Sequence, residues 1–179
     1  MEINPFRFSG PLPPSEMIDR DEEADRLLSM AEGGHSFRLV GPRRYGKTTL
    51  LKRVLEAAEQ RGMATVLVDL QDVLSIAEIV VRIEAGYDRL KGPIRRSVDA
   101  LFRSWNIGLA LGGGGFTATL QRNPNVDAES VLLRLLHLPA DLFDRQGVPS
   151  LIVFDEIQDV LAVPGADSKI RSVIQHQTE

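Results

Sequence analysis

The sequence predicts an α/β fold, a three-layer αβα sandwich built around a mostly parallel sheet. A glycine-rich loop at 41–48 lies between a short apolar segment and an amphipathic one. A second apolar run, 151–154, ends in two acidic residues. Strand-like and helix-like segments alternate along the chain between them, as is typical of sheets whose parallel strands are joined by helices.

The loop fits the phosphate-binding pattern GxxxxGK[ST] at every fixed position. We predict a strand over 37–40 before it and a helix over 49–60 after it. The glycines allow the backbone to curl, so that successive N–H groups point inward and form an anion nest next to a positive helix end. The predicted phosphate-binding residues are Gly41, Pro42, Arg43, Arg44, Tyr45, Gly46, Lys47, Thr48 and Thr49. Arg43 and Arg44 face either the phosphate or solvent.

Two side chains of this loop have individual predicted roles. Lys47 would reach the β- and γ-phosphates and stabilise their charge during reaction, and the Thr48 hydroxyl would bind Mg²⁺. An ordinary Gly-Pro turn followed by a helix is the alternative interpretation of the same residues.

The acidic pair Asp155 and Glu156 follows the run Leu151-Ile152-Val153-Phe154. Such a run predicts a central strand covered on both faces, and its carboxyl end is where open α/β sheets bind ligands. Asp155 would there hold Mg²⁺ together with Thr48. Glu156 points elsewhere and would activate a water for attack on the γ-phosphate. A strand followed by a solvated acidic turn is the alternative.

Composition sets the broad class of the protein. The 179 residues carry a formal net charge of −4, are 43% hydrophobic and 26% charged, and include no cysteine. These values suit one globular domain, exclude disulfides and thiolate metal sites, and do not favour DNA binding. No apolar stretch is long enough to cross a bilayer, and the N-terminus lacks the features of a signal peptide, so we expect a cytoplasmic protein.

The remaining segments divide the chain into an extended arm over 1–17 and a core over 18–179. Asp19 is predicted to cap the first helix with Glu22 in a capping box, and that helix ends near Ala31 before Gly33-Gly34. Further elements are predicted as a strand over 64–70 and helices over 75–90, 128–144 and 168–177, and the helix over 128–144 is capped near Asp127.

An insertion over about 92–124 separates the two halves of the predicted core. Its first part, 94–105, is predicted to be helical. The flanks of Gly112–Gly115 alternate weakly and predict a β-hairpin. A second phosphate loop is the alternative for these glycines, although no Lys-Ser/Thr follows them.

Taken together, the stretches Asn4-Pro5-Phe6, Ile18-Asp19-Arg20-Asp21-Glu22-Glu23, GPRRYGKTTLL and LIVFDEIQDV resemble the archaeal- and bacterial-type P-loop ATPases of the AAA+/STAND group. These are relatives of the origin-recognition ATPases. In that family the acidic residue corresponding to Asp155 is the Walker B acid. The resemblance implies that Ile18, Asp19 and Arg20 contact the adenine and ribose. A helix cap with a solvated arginine is the alternative for Asp19-Arg20.

The resemblance implies ATP and Mg²⁺ as cofactors and hydrolysis to ADP and phosphate, coupled to a conformational or assembly change. It also implies a last core strand and a helical lid, which we expect beyond residue 179, so the fragment itself would hydrolyse little. A homo-oligomer or an effector domain beyond residue 179 is the implied partner. A nucleotide-gated regulatory switch with little turnover is the main alternative. A kinase or GTPase fits less well, since no NKxD guanine reader occurs.

Overall fold

A computed structural model describes residues 19–42, 45–104 and 127–176 of the chain. In chain order, the elements are α1 (Asp21–Glu32), α2 (Lys47–Gln60), β1 (Ala64–Asp69), α3 (Ile76–Tyr87), α4 (Gly92–Ser104), α5 (Ala128–Gln146), β2 (Ser150–Asp155), a 3₁₀ helix (Ile157–Ala162) and α6 (Ala166–His176). This confirms the α/β class.

The two strands form a parallel pair with a simple register. Ala64 lies opposite Ser150 at one end, and Asp69 lies opposite Asp155 at the other. Because the strands are parallel, both aspartates lie at the carboxyl end of the sheet. Within the described residues β2 pairs with β1 alone, so the prediction that β2 is a central strand, with neighbours on both sides, is not met there.

Helices cover both faces of this sheet. Val66 and Val68 of β1 face a core shared with α3, α4, α5 and α6. Leu151 and Val153 of β2 face a second core, formed with α1 and α2. Alternate residues of each strand point to opposite faces, and so the sheet supplies apolar side chains to both cores.

The predicted strand over 37–40 is wrong. The segment from residue 35 to 42 has no regular secondary structure. Phe37 and Leu39 are partly buried against the α1–α2 core, while Val40 is 77% exposed. A strand needs a neighbour to pair its backbone N–H and C=O groups, and neither β1 nor β2 pairs with this segment. The apolar spacing predicted the burial of two side chains but could not predict whether a neighbouring strand pairs with this segment.

The predicted capping box of α1 is also wrong. Asp19 adopts a left-handed backbone with φ of 67°, and Arg20 occupies the N-cap position without a side-chain cap. The helix therefore begins one residue later than the capping box requires. Asp21, Glu22 and Glu23 fall in its first turn, where acidic side chains favour the helix dipole.

Other helix boundaries agree closely with the sequence predictions. Ser75 caps α3 by accepting a hydrogen bond from the Glu78 N–H at 3.2 Å. Asp127 caps α5 by accepting from the N–H groups of Glu129 and Ser130. The helix predicted over 94–105 is α4, whereas the predicted hairpin around Gly112–Gly115 lies outside the described residues. None of the helices described here has the length and apolar character needed to cross a membrane.

Helix α3 packs unusually close to β1 at Gly86. A β-carbon added there would lie 2.8 Å from Val66 Cγ1 and 3.3 Å from both the Leu67 carbonyl oxygen and Val68 Cγ2. We expect Gly86→Ala to lower the free energy of unfolding by about 1–3 kcal/mol, because the added methyl overpacks the contact. Urea denaturation of the chain measures this change.

The sign of the change separates packing from helix propensity. On propensity alone, Gly86→Ala would stabilise α3 by roughly 1 kcal/mol. Ala85, its exposed neighbour in the same helix, provides the matched control, since Ala85→Gly reports propensity without the sheet contact. An increase in stability for Gly86→Ala would contradict the close packing of α3 on β1.

Candidate phosphate and magnesium site

The loop 41–46 leads directly into α2. Gly46 is the N-cap residue of this helix and has a left-handed backbone, with φ of 74° and ψ of 15°. No side chain among the described residues caps the helix start. The first N–H groups of a helix have no partner within the helix, so those of α2 are available to an anion held by the loop.

The Lys47 side chain, on the first residue of α2, reaches back to the beginning of the loop. Its Nζ donates hydrogen bonds to the carbonyl oxygens of Gly41 at 2.9 Å and Pro42 at 3.0 Å. A lysine ammonium has three N–H donors, and these bonds use two of them. The ammonium group is therefore held beside the Gly41 and Pro42 carbonyls, and no hydrogen bond to a described residue uses its third donor, which a phosphate oxygen could accept.

Thr48 and Asp155 meet although they are far apart in the sequence. The Thr48 hydroxyl donates to Asp155 Oδ2 at 2.9 Å, and the other carboxylate oxygen of Asp155 accepts from the Glu156 N–H at 3.1 Å. Both carboxylate oxygens are thereby oriented at the end of β2. The two residues predicted to hold Mg²⁺ are thus neighbours in the fold.

The distance of 2.9 Å between Thr48 Oγ1 and Asp155 Oδ2 suits magnesium. Octahedral Mg²⁺ binds oxygen at about 2.0–2.1 Å, which places adjacent ligands roughly 2.9 Å apart. In the described part of the chain, no group of three or more His, Cys, Asp or Glu residues could hold a metal ion. Mg²⁺ commonly binds through one or two protein groups and completes its shell with waters and substrate phosphates. The Thr48–Asp155 pair fits this mode.

Glu156 is placed differently from Asp155. Its backbone is left-handed, with φ of 52° and ψ of 35°, and it immediately precedes the 3₁₀ helix. Its carboxylate accepts a hydrogen bond from the Gln158 side-chain amide. A left-handed backbone costs a residue with a β-carbon about 1–2 kcal/mol. The two acidic side chains therefore have different hydrogen-bond partners, Thr48 for Asp155 and Gln158 for Glu156.

Sequence reasoning missed two features that adjoin this site. Asp69, the last residue of β1, lies beside Asp155 at the same sheet edge, and its Oδ1 accepts from the Gln71 N–H at 2.9 Å. The acid that ends the apolar run 64–68 was the available signal. The second feature is a contact between Arg20 and the loop, where Arg20 NH1 donates to the Tyr45 carbonyl at 2.9 Å. No local pattern indicates a contact across 25 residues.

Of the remaining predicted site residues, some are described by the structure and others are not. The Thr49 side chain is buried, which leaves only its backbone for a ligand. Asp19 is exposed beside α1. Ile18, Arg43 and Arg44 lie outside the described residues. The adenine contact of Ile18, Asp19 and Arg20 stays a prediction.

An ion pair with Glu23 orients Arg20 at the start of α1. Hydrogen bonds from Arg20 lower the pKa of Glu23, and the same bonds raise the pKa of Arg20. A glutamate is ionised at neutral pH even without this shift, and the lowered pKa extends the acceptor role of Glu23 to more acidic solution.

Comparison with known proteins relates part of the chain to one family. A family model described as an AAA-like domain matches residues 12–77, less than half of the 179 residues. The matched part contains Arg20 and the loop 41–48 but ends before Asp155. It supports a relation to AAA-like P-loop ATPases. No curated protein and no solved structure matches the chain.

Proposed function

We propose that the chain binds Mg²⁺-ATP and, in the full-length protein, hydrolyses it to ADP and phosphate, coupled to a conformational or assembly change. The observation that carries the proposal is the 2.9 Å hydrogen bond between Thr48 and Asp155. It joins the glycine-rich loop to the end of an apolar strand 107 positions away. The partial match to an AAA-like domain supports the nucleotide-binding class.

The roles of the residues follow from their chemistry. Lys47 donates to oxygens of the β- and γ-phosphates, and the first N–H groups of α2 bind the remaining phosphate charge. Thr48 and Asp155 hold Mg²⁺, which neutralises phosphate charge when bound. Glu156 accepts a proton from water as the water oxygen attacks the γ-phosphorus, and the bond to the β–γ bridging oxygen breaks.

A second candidate function is a nucleotide-gated switch with little turnover. The hydrogen bond from Gln158 to Glu156 favours it, because one carboxylate oxygen of the proposed base already accepts from a neighbouring amide. Binding would be common to both functions, and phosphate release by the full-length protein would distinguish them.

The magnesium pair gives a direct test of the proposal. We expect the wild-type chain to bind ATP more tightly in Mg²⁺ than in EDTA. In Asp155→Asn the ratio of the two affinities should fall roughly tenfold, because the substitution removes the charge of a metal ligand. Isothermal titration under both conditions measures this difference. Asp69→Asn is the matched control, because it removes a carboxylate from the adjacent strand end that does not contact Thr48.

The two variants also show how the proposal could fail. Equal losses for Asp69→Asn and Asp155→Asn would indicate a general effect of acidic charge at the sheet edge. Wild-type affinity that is the same in Mg²⁺ and EDTA would contradict the Thr48–Asp155 metal site.

A further inference from the structure

Arg20 makes an unusually complete set of contacts for a surface arginine. Its Nε and NH2 donate to the two carboxylate oxygens of Glu23 at 2.6 and 2.8 Å, while NH1 donates to the Tyr45 carbonyl at 2.9 Å. Two-bond pairing with a carboxylate holds a guanidinium in one orientation. Glu23 therefore aims the NH1 group of Arg20 at the phosphate loop.

The guanidinium also lies against the two residues that precede α2. Its central carbon is 5.8 Å from the centre of the Tyr45 ring. A β-carbon built on Gly46 would lie 3.5 Å from Arg20 NH1. The Tyr45 residue is 66% exposed, so burial does not fix this part of the loop.

The contact with the Tyr45 carbonyl has a consequence for the next N–H group. In a planar trans peptide the C=O and N–H bonds point in opposite directions. Holding the Tyr45 carbonyl on Arg20 therefore turns the Gly46 N–H away from Arg20. Lys47 secures the opposite end of the loop through the carbonyls of Gly41 and Pro42.

We propose that Arg20, oriented by Glu23, is a positioning residue that fixes the Tyr45–Gly46 peptide for phosphate binding. This inference rests on the proposed function of the loop. It differs from the base contact that the sequence predicts for Arg20. A residue that shapes the phosphate cradle affects the affinity for every triphosphate, whereas a residue that contacts the base affects the affinity for nucleotides alone.

The test compares three ligands with the same phosphate chain. Affinities of the 179-residue chain for Mg²⁺-ATP, Mg²⁺-GTP and Mg²⁺-tripolyphosphate are measured for wild type, Arg20→Ala, Arg20→Lys and Glu23→Gln. We expect Arg20→Ala to weaken all three by roughly tenfold, the scale of one charge-assisted hydrogen bond. Arg20→Lys should rescue little, because a lysine cannot bind Glu23 through a fork and Tyr45 at once. Glu23→Gln should cause a smaller loss of the same pattern.

A matched control separates positioning from general stability. Arg61, just after α2, pairs with Glu32 at the end of α1 at 2.6 Å, far along both helices from the loop. Arg61→Ala should shift Tm by an amount similar to Arg20→Ala but leave the three affinities unchanged. An equal loss of affinity for Arg61→Ala would overturn the inference.

Other outcomes also decide the question. Loss of ATP affinity with unchanged tripolyphosphate affinity would identify Arg20 as a base contact and overturn positioning. Unchanged affinities in a folded Arg20→Ala variant would also overturn it. If wild type bound none of the three ligands, the proposed function would fail. Backbone ¹⁵N order parameters at residues 45–48 without ligand would still test positioning, with lower values expected in Arg20→Ala and unchanged values, as in Arg61→Ala, overturning it.

Discussion

Replacing Lys47 with alanine is expected to weaken Mg²⁺-ATP binding by about 10- to 150-fold and to leave the fold intact. Lys47 places its ammonium over the loop, and charge-assisted hydrogen bonds are worth roughly 1.5–3 kcal/mol each. Its Nζ contacts only loop carbonyls among the hydrogen bonds described. The side chain is therefore part of the proposed site and does not belong to either core. Calorimetric titration measures the change in affinity.

Lys52 supplies the control for this experiment. It lies on the same helix, is partly exposed, and is separated from the loop by more than one turn. Lys52→Ala removes the same charge from α2 and is expected to leave ATP affinity nearly unchanged. Unchanged affinity in a folded Lys47→Ala variant would contradict the phosphate-loop assignment, and a similar loss in both variants would indicate long-range electrostatics only.

Local sequence signals predicted much of the fold and of the site. The pattern of residues 41–48 predicted a helix beginning at the loop, and α2 begins at Lys47. The apolar run before Asp155 predicted β2. Periodicity and motif spacing depend on nearby residues, so they succeeded where structure is set by adjacent side chains. They also allowed the expectation that Thr48 and Asp155 meet, because both were predicted to bind the same Mg²⁺.

Features that depend on distant partners could not be predicted in the same way. The segment 37–40 has strand-like residues but no strand beside it among β1 and β2. Asp19 fits a capping pattern, yet its backbone is left-handed, and Arg20 occupies the cap position. The contact of Arg20 with Tyr45 depends on how α1 packs beside α2, which no short pattern encodes. The local structure at each of these three places thus depends on contacts between parts of the chain that are distant in sequence.

Replacing Glu156 with glutamine is expected to preserve ATP binding and reduce hydrolysis by the full-length protein by about 10²–10⁴-fold. Those factors are typical of losing a positioned general base. Glutamine has nearly the same shape but cannot accept a proton from water at neutral pH. Affinity should hold because Glu156 acts only as the water reacts, whereas Asp155 stabilises the bound ground state. Steady-state phosphate release, with titration of ATP binding alongside, measures the two effects separately.

Gln158 provides the companion variant. Its side-chain amide donates to the Glu156 carboxylate, so Gln158→Ala leaves the proposed base without that partner. Faster phosphate release in Gln158→Ala would indicate that the amide restrains Glu156, as expected for a nucleotide-gated switch with little turnover. Unchanged release would indicate that Glu156 leaves Gln158 once ATP is bound, in keeping with an ATPase. Hydrolysis at the wild-type rate in Glu156→Gln would contradict both mechanisms and assign the base to another residue. The two acids can be tested separately, because the Asp155 carboxylate accepts from Thr48 whereas the Glu156 carboxylate accepts from Gln158.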